Sequence, residues 1–313
     1  MSKTPSTPPL WVVSGPTACG KTALAVQLAE RRSLEILSMD SMAVYRQMDI
    51  GTAKPTAAER ARVPHHLIDL VEPRETFDTA RWCEAAERVV ADLQSRGRGA
   101  LFVGGTPLYL MAFFKGMMQG PGRDDALRER LEARELAQPG CLHEELAQRD
   151  PAAAARIHHR DRRRLVRALE VLELTGKPIS EQQDHFDRAG WARPCRIVVV
   201  HRPRDDLHAR VKLRTEAMLT QGLLAETEAI ERSGGFSLTA GAAIGYAECR
   251  DFLRGRYKDE VELRNRIRRN THQLIRRQTT WLRRLPDVPW VDAEHGVDAL
   301  QRAFGEPDAP TDR

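Results

Sequence analysis

The stretch "VVSGPTACGKTALAV" (Val12–Val26) decides how the rest of the chain is read. Within it, Gly15-Pro16-Thr17-Ala18-Cys19-Gly20-Lys21-Thr22 matches the phosphate-loop pattern GxxxxGK followed by Ser or Thr. Glycines let backbone N–H groups turn toward phosphate oxygens, and the N-terminus of the following helix adds partial positive charge. Lys21 supplies a full charge and Thr22 a hydroxyl for Mg2+. The loop sits between an apolar run, "LWVVS" (10–14), and "KTALAVQLAERR", where Leu24, Ala25, Leu28 and Ala29 recur at helical spacing. Strand, glycine turn and helix in that order predict a phosphate site. The motif alone does not choose among a kinase, a motor and another phosphate chemistry.

Outward from the loop, "LEILS" (34–38) reads as a second strand, "HLIDLV" (66–71) is a candidate third, and "ALFVGG" (100–105) is a further buried one. Asp78 caps a helix through "TARWCEAAERVVADLQSR", with Gly97 as its stop. This β-α-β-α alternation predicts an α/β fold, a doubly wound parallel sheet flanked by helices. Ligands then collect at the carboxyl ends of the strands, where the phosphate loop, Asp40 and Thr106 should converge. Residues 117–193 lack strand signals. In "RRRLVRALEVLEL", Leu165, Leu169 and Leu172 fall on one helical stripe and Arg163, Arg167 and Glu170 on another. This segment is expected to be an all-helical insertion. "CRIVVVHRP" (195–203) returns to the sheet, a helical stretch follows, and "VPWVD" (288–292) is a candidate last strand. The expected core is therefore 10–116 plus 194–304, with flexible tails at 1–9 and 305–313.

Composition is globular, with 41% hydrophobic and 30% charged residues among 313. No apolar run reaches the roughly 20 residues that span a bilayer, and "MSKTPSTPPL" has no secretory pattern. The five cysteines are scattered without a CxxC pair, which argues against a disulfide framework or a zinc site and points to a reducing cytoplasm. Net charge is +5, and only seven of the 49 basic residues are lysine. A GC-rich genome explains an arginine bias as well as a bidentate phosphate-gripping role does. Clustering is more telling. "RIHHRDRRRLVR" (156–167) carries six arginines and "RNRIRRNTHQLIRRQTTWLRR" (264–284) eight more; such runs are usually solvated helix faces, but two in one chain favour a nucleic-acid partner.

Asp40, in "SMDSMAVYRQMDIGTAKP" (38–55), follows the second strand and should face the phosphate loop; its plainer role is to cap the turn at "DSM". A motor-type NTPase also needs an apolar strand ending in Asp for its metal. "LID" (67–69) is the one candidate, and "LFVGGT" ends in no acid.

"GPTACGKTALA", "DSMAVYRQMDIGTAKP", "PHHLIDLVEP", "LFVGGTPLYL", "ARIHHRDRRRLVRALEV", "TGKPIS", "GLLAE", "AIGYAE" and "QLIRRQTTWLR" occur in this order from about residue 10 to 292. Together they resemble the tRNA dimethylallyltransferase (tRNA isopentenyltransferase) family, in its compact bacterial form without a zinc-finger extension. The resemblance implies a P-loop kinase-like core with a helical insertion, acting as a cytoplasmic monomer. It implies transfer of a dimethylallyl group from dimethylallyl diphosphate to N6 of the adenine 3′ to the anticodon, in tRNAs reading codons that begin with U, with Mg2+ required.

The same resemblance assigns roles. Asp40 is the general base toward N6, a step worth typically 10²–10⁴-fold, and Thr106 contacts the same adenine, or merely caps the helix that starts at Pro107. Gly15, Pro16, Thr17, Ala18, Cys19, Gly20, Lys21 and Thr22 hold the diphosphate, with Mg2+ on Thr22 and help from Arg214 and its neighbour Arg210. The adenine must leave its stack to reach Asp40, through a channel that tRNA and prenyl donor enter from opposite ends. tRNA contacts are expected at Asp40, Ser41, Met42 and Ala43, at Thr106, at Arg163, Arg164, Leu165, Val166 and Arg167, and at 241–246, Gly245 and Tyr246 in particular. Cys19 stands where Ser is commoner, His272 stands where Arg is expected and takes no phosphate role, and "GGFSLTAGAAIGYAECR" is looser than the family pattern. A free-adenylate isopentenyltransferase, a kinase and a non-enzymatic RNA-binding module are the competing readings. The first would not need the basic insertion, the second leaves the later blocks unexplained, and the third leaves the phosphate loop and Asp40 without a purpose.

Overall fold

The structure, a computed structural model, describes residues 10–116, 120–182 and 190–305. The expected tail at 1–9, and that at 305–313 apart from Gly305, lie outside the described residues. The chain divides into two compact units, Met1–Phe114 with Arg193–Arg313, and Lys115–Ala192.

In the first unit, six strands form one sheet: β1 (Leu10–Ser14), β2 (Leu34–Ser38), β3 (His65–His66), β4 (Gly99–Gly104), β5 (Cys195–His201) and β6 (Trp290–Asp292). Their order is β3-β2-β4-β1-β5-β6, and every pairing is parallel. All five residues of β2, and Trp11–Ser14 of β1, are buried, as a strand covered on both faces requires. Around the sheet run α1 (Lys21–Arg32), α2 (Ala57–Arg62), α3 (Thr79–Ser95) and α4 (Pro107–Phe114). The order places β1 between β4 and β5, with β2 beyond β4. The loop after β1 thus has the ends of β4 and β5 on either side.

Asp78 caps α3 by accepting the Arg81 N–H at 2.9 Å. The fully buried Trp82 of α3 donates Nε1–H to the Ser38 carbonyl at 3.2 Å and stacks on Tyr109 of α4, centroids 4.4 Å apart. Phe102 of β4 and Phe113 of α4 close the aromatic cluster. The indole therefore pins the end of β2, two residues before Asp40, to the helix that follows Thr106. "HLIDLV" is not one strand. Only His66 of it continues β3, because Leu67 and Asp69 take left-handed backbone, φ 62° and 56°. The chain there turns to bond residues 43–46 instead, with Asp69 N–H on the Ala43 carbonyl at 3.1 Å, Leu70 N–H on Val44 at 2.7 Å, and a lone bridge between Tyr45 and Val71.

The second unit is helical in its described part: α5 (Asp125–Ala137), α6 (Cys141–Arg149), α7 (Pro151–Arg156), α8 (Arg162–Thr175) and α9 (Ile179–Gln182). Its core gathers Leu127, Leu131, Leu142, Leu146, Leu165, Val166, Leu169 and Leu172. The first unit resumes with α10 (Arg204–Thr220), α11 (Leu223–Arg232), α12 (Tyr246–Leu253), α13 (Glu260–Leu282) and α14 (Gly296–Phe304). Among the described residues no helix is long and apolar enough to cross a membrane.

Glu170, on α8, has no exposed side-chain surface. It accepts from Arg128 at 2.6 and 2.8 Å, from Arg167 at 2.6 Å and from the Asp124 N–H at 2.9 Å. Burial pushes its carboxyl up, but these donors outweigh it and hold the group at about 2. Since the folded value lies below the ordinary 4.5, the stabilisation is complete above about 4.5 and is lost as pH falls toward about 2. Glu170→Gln should lower stability in urea at neutral pH by about 3 kcal/mol, the order expected when a buried ion network loses one partner. The deficit should narrow between pH 6 and pH 3; a gap independent of pH would refute the ionic origin.

Candidate active site

The phosphate loop closes onto α1 through Gly20, which caps the helix without a side-chain hydrogen bond. The first-turn amides of α1 therefore remain available to an anion. What braces the loop comes from elsewhere. Arg202 donates Nε–H to the Cys19 carbonyl at 3.0 Å, and Arg210 donates Nε–H to the Ala18 carbonyl at 2.8 Å. Lys21 Nζ donates to the Pro16 carbonyl at 3.2 Å. Arg214 Nη1 reaches Thr17 Oγ1 at 3.4 Å. Burial pushes the Arg214 guanidinium below its usual range, and the charge of Asp40 opposes that shift. A desolvated cation held mainly by a hydroxyl is a strong anion receptor.

A cavity of about 490 Å3 is lined by Thr17, Lys21, Asp40, Thr106, Arg214 and Gln278, with Met42, Leu108, Met218, Ile244, Leu274 and Trp281 as its apolar wall. Asp40 Oδ1 does cap the turn that follows, accepting from Met42 N–H at 2.8 Å and Ala43 N–H at 3.4 Å. Those bonds use one carboxylate oxygen and leave Oδ2 for a ligand. Thr106 Oγ1 accepts from Ser41 N–H at 3.1 Å, which leaves its hydroxyl proton to donate. The two side chains approach because Gly104 has no side chain: a Cβ there would stand 2.0 Å from the Met39 carbonyl oxygen. The cavity thus combines a cation set, a carboxylate, a hydroxyl donor and an apolar wall. It can bind a phosphorylated molecule with an apolar portion and take a proton from a second one.

Gln278 joins two segments of the site. It is buried on α13, accepts from the Thr17 N–H at 2.9 Å and donates to the Gly105 carbonyl at 2.6 Å. It therefore ties the phosphate loop to the residue before Thr106. No local pattern signals this, because Thr17 and Gln278 are 261 residues apart. The brace from Arg202 is equally invisible in the sequence, for the same reason.

Other expected contacts need correction. Leu165 and Val166 are buried in the second unit's own core, 0% and 3% exposed, so they do not present side chains to tRNA. Arg167 is committed to Glu170 and to the Pro121 carbonyl at 3.0 Å. Arg163 and Arg164 are exposed. Ala43 is buried, and so is Tyr246, whose hydroxyl accepts from Gly51 N–H at 3.1 Å and donates to Glu226. Ser41, Met42 and Gly245 do line the cavity. Cys19 is fully buried. His272 stacks on His208, centroids 4.0 Å apart, and burial and the neighbouring cations push it below the ordinary imidazole range.

Thr22 stands in the first turn of α1 and lines a second cavity beside Lys21. Among the described residues no group of three or more His, Cys, Asp or Glu side chains could hold a metal. A single hydroxyl such as that of Thr22 is the kind of ligand Mg2+ takes beside waters and phosphate oxygens.

Fold and site together define a phosphate-loop α/β protein whose anion site opens beside a carboxylate and an apolar wall. The IPP transferase family model matches residues 43–285. A tRNA dimethylallyltransferase of Anaeromyxobacter sp. (strain K) is 45% identical over 97% of this chain and 99% of its own. One from Geobacter sulfurreducens is 42% identical over 93% and 94%. Among solved structures, a tRNA isopentenylpyrophosphate transferase from Bacillus halodurans superposes with TM-score 0.67 at 38% identity, covering 91% of this chain and 90% of its own. A eukaryotic dimethylallyltransferase acting on tRNA gives 0.77 at 25% identity, over 92% and 74%. The chain belongs to the IPP transferase family.

Gln278→Leu keeps the bulk but strands the Thr17 N–H and the Gly105 carbonyl. Stability should fall by about 2 kcal/mol, the cost of burying polar groups without partners, and inorganic diphosphate should bind more weakly by calorimetry. Unchanged diphosphate binding would show that the bridge does not order the loop.

Proposed function

We propose that the protein transfers the dimethylallyl group of dimethylallyl diphosphate to N6 of the adenine 3′ to the anticodon, in tRNAs reading codons that begin with U, and releases diphosphate. One observation carries the reading: Thr17 and Lys21 of the phosphate loop, Arg214, Asp40 and Thr106 line a single cavity with an apolar wall. In this reading the α1 amides, Lys21 and Arg214 neutralise the leaving diphosphate. Thr22 would hold Mg2+, which supplies further charge neutralisation when bound. Met218, Leu274 and Trp281 accommodate the five-carbon tail. Thr106 donates its hydroxyl proton to the adenine, and Asp40 Oδ2 receives the N6 proton as N6 bonds to carbon. The amino group is too weak an acid to lose that proton beforehand, so base and electrophile must meet it together.

Arg163 and Arg164, exposed on the first turn of α8, are assigned to tRNA phosphates, which position the anticodon stem-loop without reading its sequence. The enzyme works as a cytoplasmic monomer.

The deciding assay supplies Mg2+ and labelled dimethylallyl diphosphate with tRNA, AMP or ATP as acceptor. Label is expected in tRNA; label in AMP alone would assign the chain to free-nucleotide chemistry. Asp40→Ala should cut transfer by 10²–10⁴-fold, the usual worth of a general base, while tRNA still binds. Near-normal turnover would remove Asp40 from that role. Replacing Arg163 and Arg164 with Ala should weaken tRNA binding and lower its salt slope by about one for each phosphate no longer neutralised. An unaltered slope would place the tRNA phosphates elsewhere.

A further inference from the structure

Residues 48–54 form a turn between two cavities. Gly51 and Thr52 line the 490 Å3 cavity, while Asp49, Ile50, Ala53 and Lys54 line a second one of about 1140 Å3. Lys21, Arg214 and Met218 border both. The turn is thus part of a wall beside the phosphate loop.

Two clamps hold it. Lys54, its side chain 2% exposed, donates from Nζ to the Tyr45 carbonyl at 2.5 Å, Asp49 Oδ1 at 2.7 Å and Asp69 Oδ1 at 2.6 Å. All three ammonium protons are used. Arg60 adds a second cation to Asp69 at 2.9 Å. Burial pushes the Asp69 carboxyl up, but Lys54 and Arg60 more than offset it and hold the group below its ordinary value. The other clamp comes from α11 and α12. Glu226 accepts the N–H groups of Asp49 at 3.3 Å and Ile50 at 3.1 Å, and the Tyr246 hydroxyl takes that of Gly51. Gly51 sits so close that a Cβ would come within 2.3 Å of the Tyr246 ring. Lys54 is buried while Asp49 and Asp69 remain partly exposed, and a desolvated ammonium with all its protons committed fixes geometry more than it adds stability.

We propose that Lys54 is a positioning residue for prenyl transfer, fixing the 48–54 turn as the part of the wall, where the two cavities meet at Lys21, Arg214 and Met218, that keeps water from the reacting carbon. This rests on the transfer reaction proposed above. In that reaction the allylic C1–oxygen bond to diphosphate breaks, the N6–C1 bond forms and the N6 proton goes to Asp40. If the wall moves, water takes the place of N6. Its oxygen bonds to C1, the same C1–oxygen bond breaks, and dimethylallyl alcohol, diphosphate and a proton result. Excluding water from a reactive centre is a recognised task of such walls.

The test measures prenylated tRNA and dimethylallyl alcohol side by side, with full-length protein, Mg2+ and labelled dimethylallyl diphosphate. Lys54→Met should fold, keep its KM for tRNA, lose roughly 10²-fold in kcat and raise the alcohol-to-product ratio by a similar factor, as expected for a geometric displacement of about an ångström. Lys54→Arg should recover part of both. Tyr246→Phe, which removes only the hydroxyl of the second clamp, should shift the ratio in the same direction and serves alone if Lys54→Met does not fold. A wild-type ratio in Tyr246→Phe, or activity in Lys54→Met that falls only with the folded fraction, would overturn the proposal. Failure of the wild-type protein to prenylate tRNA would instead strike the function proposed above.

Discussion

A loop that grips an anion must leave most of its N–H groups free for it, so something other than the anion has to hold the loop open. Here that support comes from two arginines, one just after β5 and one on α10, and from one amide on α13. Arg202 and Arg210 take loop carbonyls, and Gln278 takes the Thr17 N–H. Each arginine satisfies a group the anion would not use. Because the Gln278 amide also donates to Gly105, the strand end bearing Thr106 moves with the loop. Asp40 follows from the other side, since Thr106 Oγ1 accepts from Ser41 N–H. A chain of three side-chain hydrogen bonds joins the phosphate-loop end of the cavity to the Asp40 end.

The sheet order makes this chain short. With β1 between β4 and β5, and β2 beyond β4, three strand ends open on one crevice. Trp82 adds rigidity by fixing the Ser38 carbonyl to the aromatic cluster under α4. Arg214 and Asp40 line one cavity with opposite charges, and among the described residues they form no ion pair. A cation desolvated beside a carboxylate keeps its affinity for a further anion, and the carboxylate keeps a free oxygen.

Much of the fold was readable in the sequence because buried parallel strands are apolar throughout. "LWVVS", "LEILS" and "ALFVGG" needed no tertiary information. "HLIDLV" misled for a definable reason: its backbone turns to bond the 43–46 segment, and two left-handed residues break the strand. Asp40 and Thr106 were placed by their positions after strand ends and Arg214 through motif resemblance, and all three line one cavity. The block 163–167 shows what that route overlooks. A motif is carried over as consecutive residues, whereas a helix exposes them by a period of 3.6. Arg163 and Arg164 face outward, Leu165 and Val166 inward, and Arg167 returns to Glu170. Gln278, Lys54 and Glu226 lay beyond local reading altogether, because their partners are set by packing and not by spacing.

Tyr246 illustrates how a sequence block can matter at a site without touching the substrate. Its ring fills the space that Gly51 vacates, and its hydroxyl satisfies the Gly51 N–H. Gly51, Thr52 and Gly245 line the cavity on either side of it. Any larger residue at 51 would displace the ring, and with it the hydroxyl that completes the turn. The "GTAKP" and "AIGYAE" stretches are therefore two halves of one wall. Their residue types are constrained by each other and by the shape of the cavity, whether or not a nucleotide contacts them.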